Sequence, residues 1–193
     1  MMKRAMIMAA VLIAVVALTP GLSAGQSKAS VAPQNVIYDE ASALEFFKSL
    51  SGDWTSAAAG HEHGSAPASA GSTRSFRTKA NGSAVVETIG AGTKNEMETI
   101  LHMDGDKLLL THYCALQNAP VLRFVKSNKP GEIKFAFQGG TNFDPKVDAH
   151  FHEGTFQVKD KDTIEQSTTV FTNGNAQPES HTVLKRKQSS SSQ

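Results

Sequence analysis

Tight-turn dipeptides recur along this chain between short runs that alternate apolar and polar residues, and together they constrain the fold more than any other feature. Asn81-Gly82, Asp104-Gly105 and Asn173-Gly174 are hairpin signals, because both central residues of a type I′ turn need positive φ and Asn, Asp and Gly tolerate it best. Lys129-Pro130-Gly131 and Asp160-Lys161-Asp162 add further turns. The runs between them are rich in Val, Ile, Thr and Phe, the composition of strands. The spacing predicts about ten strands, near 53–58, 72–80, 83–90, 95–103, 106–114, 120–126, 132–138, 147–158, 163–171 and 179–187.

One helix is expected, before the first strand. Asp39 can cap it, Glu40 suits its first turn, Ala43, Leu44, Phe46, Phe47 and Leu50 form an apolar stripe, and Gly52 ends it. Strands that follow one another without crossover helices leave exposed sheet edges unless the sheet closes. The fold class is therefore all-β: a single closed antiparallel barrel of about ten strands in meander order, with a short N-terminal helix as lid or plug.

The ends of the chain carry other instructions. Lys3 and Arg4 precede an apolar run from Ala5 to Leu18, and Thr19-Pro20-Gly21 breaks it before Leu22-Ser23-Ala24. This is the anatomy of a cleavable export signal, and the run is shorter than the roughly 20 residues that span a bilayer. Residues 1–24 are assigned to the signal, 25–38 to a disordered linker, 39–187 to the barrel and 188–193 to a disordered Ser-rich tail. The expected location is periplasmic or extracellular, without a membrane anchor.

Loss of Lys3 and Arg4 leaves 17 basic against 18 acidic residues. A near-neutral chain without a basic run offers no counterion-release surface for nucleic acid, so the expected partner is a small apolar molecule. The single cysteine, Cys114, cannot form an internal disulfide and is expected to be buried and inert.

Alternation also sorts the faces of strands. Ile133, Phe135 and Phe137 oppose Lys134, Ala136 and Gln138. A two-residue turn at Asp104-Gly105 pairs Met103 with Asp106, and so groups Met97, Thr99, Leu101, Leu108, Leu110, His112 and Cys114 on the inner face. A bulge at Gly105 would reverse His112. The same reasoning leans His150 and His152 inward with Phe156 and Val158, and leaves His181 undecided. The expected ligand site is Leu101, Leu108, Leu110, His112, Cys114, Phe135, Phe137, His150 and His152.

The segment Leu50-Ser51-Gly52-Asp53-Trp54, a short helix running into Gly-x-Trp at the first strand, resembles the calycin-like barrels: lipocalins, fatty-acid-binding proteins and nitrobindin-type haem barrels. Leu110-Thr111-His112-Tyr113-Cys114 and the stretch from His150 to Phe156 are similar to exported bacterial proteins of unknown function with this architecture. The resemblance covers roughly 40–187. It implies a barrel floor of Gly52 and Trp54, with Arg186 or Lys185 packed over the indole. The lipocalin disulfide is absent, as are the paired arginines and tyrosine that hold a fatty-acid carboxylate, which argues against a fatty-acid role.

Nitrobindin-like barrels also imply the alternative reading: haem held by His181 in a pocket of Phe135, Phe137 and Leu110. Zinc on His112, His150 and His152, or on His61 and His63, is weaker still, and the leading reading has no cofactor and no metal. A structural protein that binds nothing is the third reading. Catalysis finds no residues. His112 and Cys114 stand two apart on a strand, about 6–7 Å between side chains and too far for a nucleophile and its base. Glu87, Glu98 and Glu153 form no carboxylate pair, and Gly90-Ala91-Gly92 precedes no helix.

Overall fold

The computed structural model describes residues 32–58 and 72–188. The helix is α1, Glu40–Ser49. The strands are β1 (Gly52–Ala58), β2 (Thr73–Lys79), β3 (Ala84–Ile89), β4 (Met97–Asp104), β5 (Lys107–Tyr113), β6 (Ala119–Val125), β7 (Glu132–Thr141), β8 (His150–Val158), β9 (Thr163–Thr172), the two-residue β10 (Asn175–Ala176) and β11 (Ser180–Arg186). Each long strand pairs antiparallel with the next, and β8–β9, β9–β11 and β11–β1 complete the ring. The result is the closed ten-strand meander, with β10 as a short arm on β9. The residues expected to form an export signal, His61, His63 and the Ser-rich end lie outside the described residues. No described helix is long and apolar enough to cross a membrane.

The turn chemistry places the hairpins but does not fix every loop. Asn173 and Gly174 adopt φ 53° and 69° between the paired Thr172 and Asn175, as a type I′ turn requires. At Asp104-Gly105 the closing pair is Asp104 with Lys107, not Met103 with Asp106. The loop is Gly105-Asp106, with glycine first. The register moves by two residues, an even number, so every side chain keeps its expected face. Asn81-Gly82 lies within a longer loop closed by Lys79 and Ala84.

α1 plugs one end of the barrel. Asp39 Oδ1 accepts the Ser42 amide at 2.8 Å while Ser42 Oγ accepts the Asp39 amide at 2.9 Å, a reciprocal N-terminal cap. Phe47, fully buried, meets Phe156 at 5.1 Å and Phe135 at 6.1 Å between ring centroids. Glu40 Oε2 accepts the Leu108 backbone amide at 2.7 Å and ties the helix to β5. The preceding segment is also in place, although composition alone reads it as part of a disordered linker. Gly131 donates its amide to Val36 O at 2.8 Å, and the buried Tyr38 donates its hydroxyl to Pro33 O at 3.0 Å.

The helix ends on a cation. Arg186 lies 4.4 Å above the ring centroid of the fully buried Trp54. Its Nη1 donates to the carbonyls of Leu50 and Ser51, its Nη2 to those of Ser49 and Lys161, and its Nε to Asp162. A guanidinium thus meets the orphan carbonyls at the negative end of α1. Trp54 Nε1 donates to Leu50 O at 2.9 Å. Lys185 pairs with Thr55 on the outer face. Gly52 is needed here for two reasons: its φ is +139°, and a Cβ would stand 3.1 Å from Arg186 Nη1.

Candidate functional site

The interior divides into a packed half and an open half. Against α1, Trp54, Phe76, Leu101, Leu108, Phe135 and Ile164 are all essentially inaccessible. Leu101, Leu108 and Phe135, expected as ligand walls, belong to this packed core, because α1 fills the space they face. Beyond Leu110 and Phe156 the barrel encloses a cavity of about 230 Å³. Its apolar wall includes Ile89, Met97, Leu110, Phe151, Phe156 and Val170, with the exposed Leu116 at its edge. His112 and Cys114, both on the expected list, line it too.

Arg74 and Glu87 provide the polar side of this cavity. The Arg74 Nη1 donates to Glu87 Oε1 and to Gln166 Oε1, each at 2.6 Å. The ion pair is buried, with side-chain exposures of 9% and 2%. Arg74 Nε is buried and has no hydrogen-bond partner among the described residues. Sequence reasoning missed this pair, yet alternation carried the signal. Arg74 is two residues from the core Phe76 on β2, and Glu87 lies between Val85 and Ile89 on β3. Opposite charges at inward positions of neighbouring strands were available to find.

His112 Nδ1 shares a hydrogen bond with Thr99 Oγ1 at 2.9 Å, and its ring meets Phe151 edge-on at 5.5 Å. Burial, reinforced by the Arg74 charge, pushes its pKa down to about 4. The imidazole is therefore neutral at ordinary pH. Unfolding restores a value near 6.5, so between pH 6.5 and 4 the unfolded chain binds the extra proton and stability falls as pH falls. The shift corresponds to roughly 3 kcal/mol lost across that window. Urea unfolding from pH 7 to pH 4 should show it, and His112→Leu should flatten that part of the curve.

His150 and His152 do not reach the cavity. The β8–β9 register slips between Phe151 and Glu153, making His152 the extra residue of a bulge. Beyond the bulge the facing reverses. Phe151 pairs with the cavity-lining Val170, and His150 pairs with Phe171 on the other face. His150 Nε2 meets His152 Nδ1 at 3.0 Å, and His152 stacks on Phe171 at 3.7 Å. Phe137 and Phe143 complete the cluster, each 4.8–4.9 Å from His150. Phe137 is thus a member of this side cluster and not a cavity wall. Gly154 helps to turn Phe151 inward: a Cβ there would lie 2.7 Å from Phe151 Cζ.

No group of three or more His, Cys, Asp or Glu side chains is placed to hold a metal among the described residues. His112 is separated from the other two imidazoles by the reversed facing of β8. His181 is exposed, pairs with Ser167 and binds the Ser167 hydroxyl at 2.9 Å through Nδ1. Its neighbours Thr182 and Leu184 are the inward residues of β11. An imidazole on the outer wall does not fit an axial ligand to haem in the interior. Cys114 is half-buried, not fully enclosed, with its Sγ 4.0 Å from Met97 Sδ. The two residues line both the cavity and a groove shared with Tyr113 and Asn142.

Comparison of the chain with protein-family models and with curated proteins returns no match. The closed barrel with its plug helix is consistent with a calycin-like fold.

Proposed function

We propose that this is an exported protein that binds a small, mostly apolar molecule in the open half of its barrel. The observation that carries the reading is the cavity itself: apolar on most sides, with Arg74, Glu87, Thr99 and His112 converging on it. Concave, largely preformed apolar sites with a few placed polar groups are the usual form of small-molecule sites. At about 230 Å³ it exceeds the roughly 150 Å³ of an engineered cavity that takes up benzene. It falls below the approximately 300–1,000 Å³ of drug-sized sites. A single ring or a short chain fits this size. Export rests on the N-terminal sequence pattern.

Native mass spectrometry of the protein recovered from the exported fraction tests the reading, with an adduct of low mass as the expected result. Leu110→Asn should weaken binding at least tenfold, because it places an unpaired amide on the apolar wall. Phe171→Ala, in the side cluster, should leave binding unchanged. Equal loss in both variants would remove the cavity from consideration.

A further inference from the structure

Arg74 spends one nitrogen on its protein partners. Both hydrogens of Nη1 are taken, by Glu87 and by Gln166. Nε is buried without a partner, and no hydrogen bond from the described residues reaches Nη2. In a guanidinium the Nε–H and one Nη2–H point the same way, forming the side-on fork that grips an oxygen acceptor. The fork belongs to a residue of the cavity wall. A buried donor without an acceptor is destabilising, so a ligand oxygen that reaches the fork offsets that cost.

The charge of that oxygen follows from the rest of the wall. Arg74 and Glu87 cancel, and among the cavity residues the remaining polar groups are hydroxyls, an amide, the Cys114 thiol and the His112 imidazole. His112 is neutral because burial and the Arg74 charge hold its proton off. The site therefore carries no net charge. A carboxylate entering it would leave one buried negative charge uncompensated, which is costly in a low-dielectric interior. A carbonyl oxygen satisfies the same fork at no such cost.

We infer that the cavity selects a neutral carbonyl-type acceptor, the oxygen of a ketone, ester, aldehyde or amide on a short apolar body, and discriminates against the corresponding carboxylate. This rests on the binding role proposed above and names the ligand class for it. Glu87 is then the specificity residue: its negative charge neutralises Arg74, and so sets the sign of the preference.

Calorimetric titration at pH 7 with 2-octanone and with octanoate, two probes of equal chain length, tests this. The wild type should bind 2-octanone at least tenfold more tightly. Glu87→Gln keeps an acceptor for Nη1 and removes the charge, so the preference should invert in favour of octanoate. Arg74→Lys keeps the cation and loses the fork, so 2-octanone binding should fall at least tenfold with the circular dichroism spectrum retained. The inference is overturned if the wild type prefers octanoate, if Glu87→Gln leaves the ratio unchanged, or if Arg74→Lys binds the ketone as well as the wild type does. If neither probe binds the wild type, the binding role itself fails, and with it the inference.

Discussion

Glu87→Ala should destabilise the protein by about 3–5 kcal/mol, the cost of leaving a buried charge without its partner. Arg74 and Glu87 are 2.6 Å apart at 9% and 2% side-chain exposure, so little solvent is at hand to replace the lost carboxylate. Among the described residues Gln166 is the one other acceptor that Arg74 reaches, and a neutral amide oxygen cannot balance a full charge. The double variant Arg74→Met, Glu87→Leu should recover most of the loss, because a pair of apolar residues of similar volume removes both desolvation costs. Denaturant midpoints for the wild type and both variants decide it. A cost below about 1 kcal/mol for Glu87→Ala would mean that cavity water solvates the guanidinium. Such an ion pair is weak evidence of stability optimisation. A barrel built for stability alone would place leucines there.

Trp54→Ala should cost a similar amount, about 3–5 kcal/mol, for a different reason. The indole is fully buried, packs edge-on against Phe76 at 6.0 Å, anchors the end of α1 through Leu50 O and supports Arg186 on its face. Removing it opens a void beneath the plug and frees the helix end at once. Arg186→Lys should show a smaller loss of roughly 1–3 kcal/mol. An ammonium keeps the charge but cannot reach the carbonyls of Ser49, Leu50, Ser51 and Lys161 and Asp162 together. Thermal and urea unfolding measure both. Equal stability of Arg186→Lys and the wild type would reduce the arginine's role to that of a point charge at the helix terminus.

Glu87→Ala and Trp54→Ala probe opposite halves of one interior. The half under α1 is a filled aromatic core in which Phe47 reaches between Phe135 and Phe156. The other half keeps space and charge. Phe156 belongs to both, packed on Phe47 from one side and lining the cavity on the other. On the proposed binding role, loss of the plug should therefore weaken binding although no residue of α1 lines the cavity.

How far the chain could be read before its fold was known follows from the range of the interactions involved. Turn dipeptides, alternation and the Asp39 cap act over a few residues, so the strand count, their order and the plug helix were legible. The face of His112 was legible as well, although the β4–β5 register differs by two residues, because an even shift leaves alternation intact. Three things depended on tertiary structure. The bulge at His152 inserts one residue and reverses the facing of β8, which took His150 and His152 out of the cavity and brought Phe151 in. α1 enters the barrel and turns Leu101, Leu108 and Phe135 from possible ligand walls into core. Arg74 and Glu87 each sit inward by alternation, but they lie 13 residues apart in the chain and meet only across two paired strands. The sequence by itself determined that a barrel forms and that one short helix precedes its first strand. Tertiary structure decided which half of it stays open and what charge faces the space, because cavity and charge balance are sums over strands that no local pattern records.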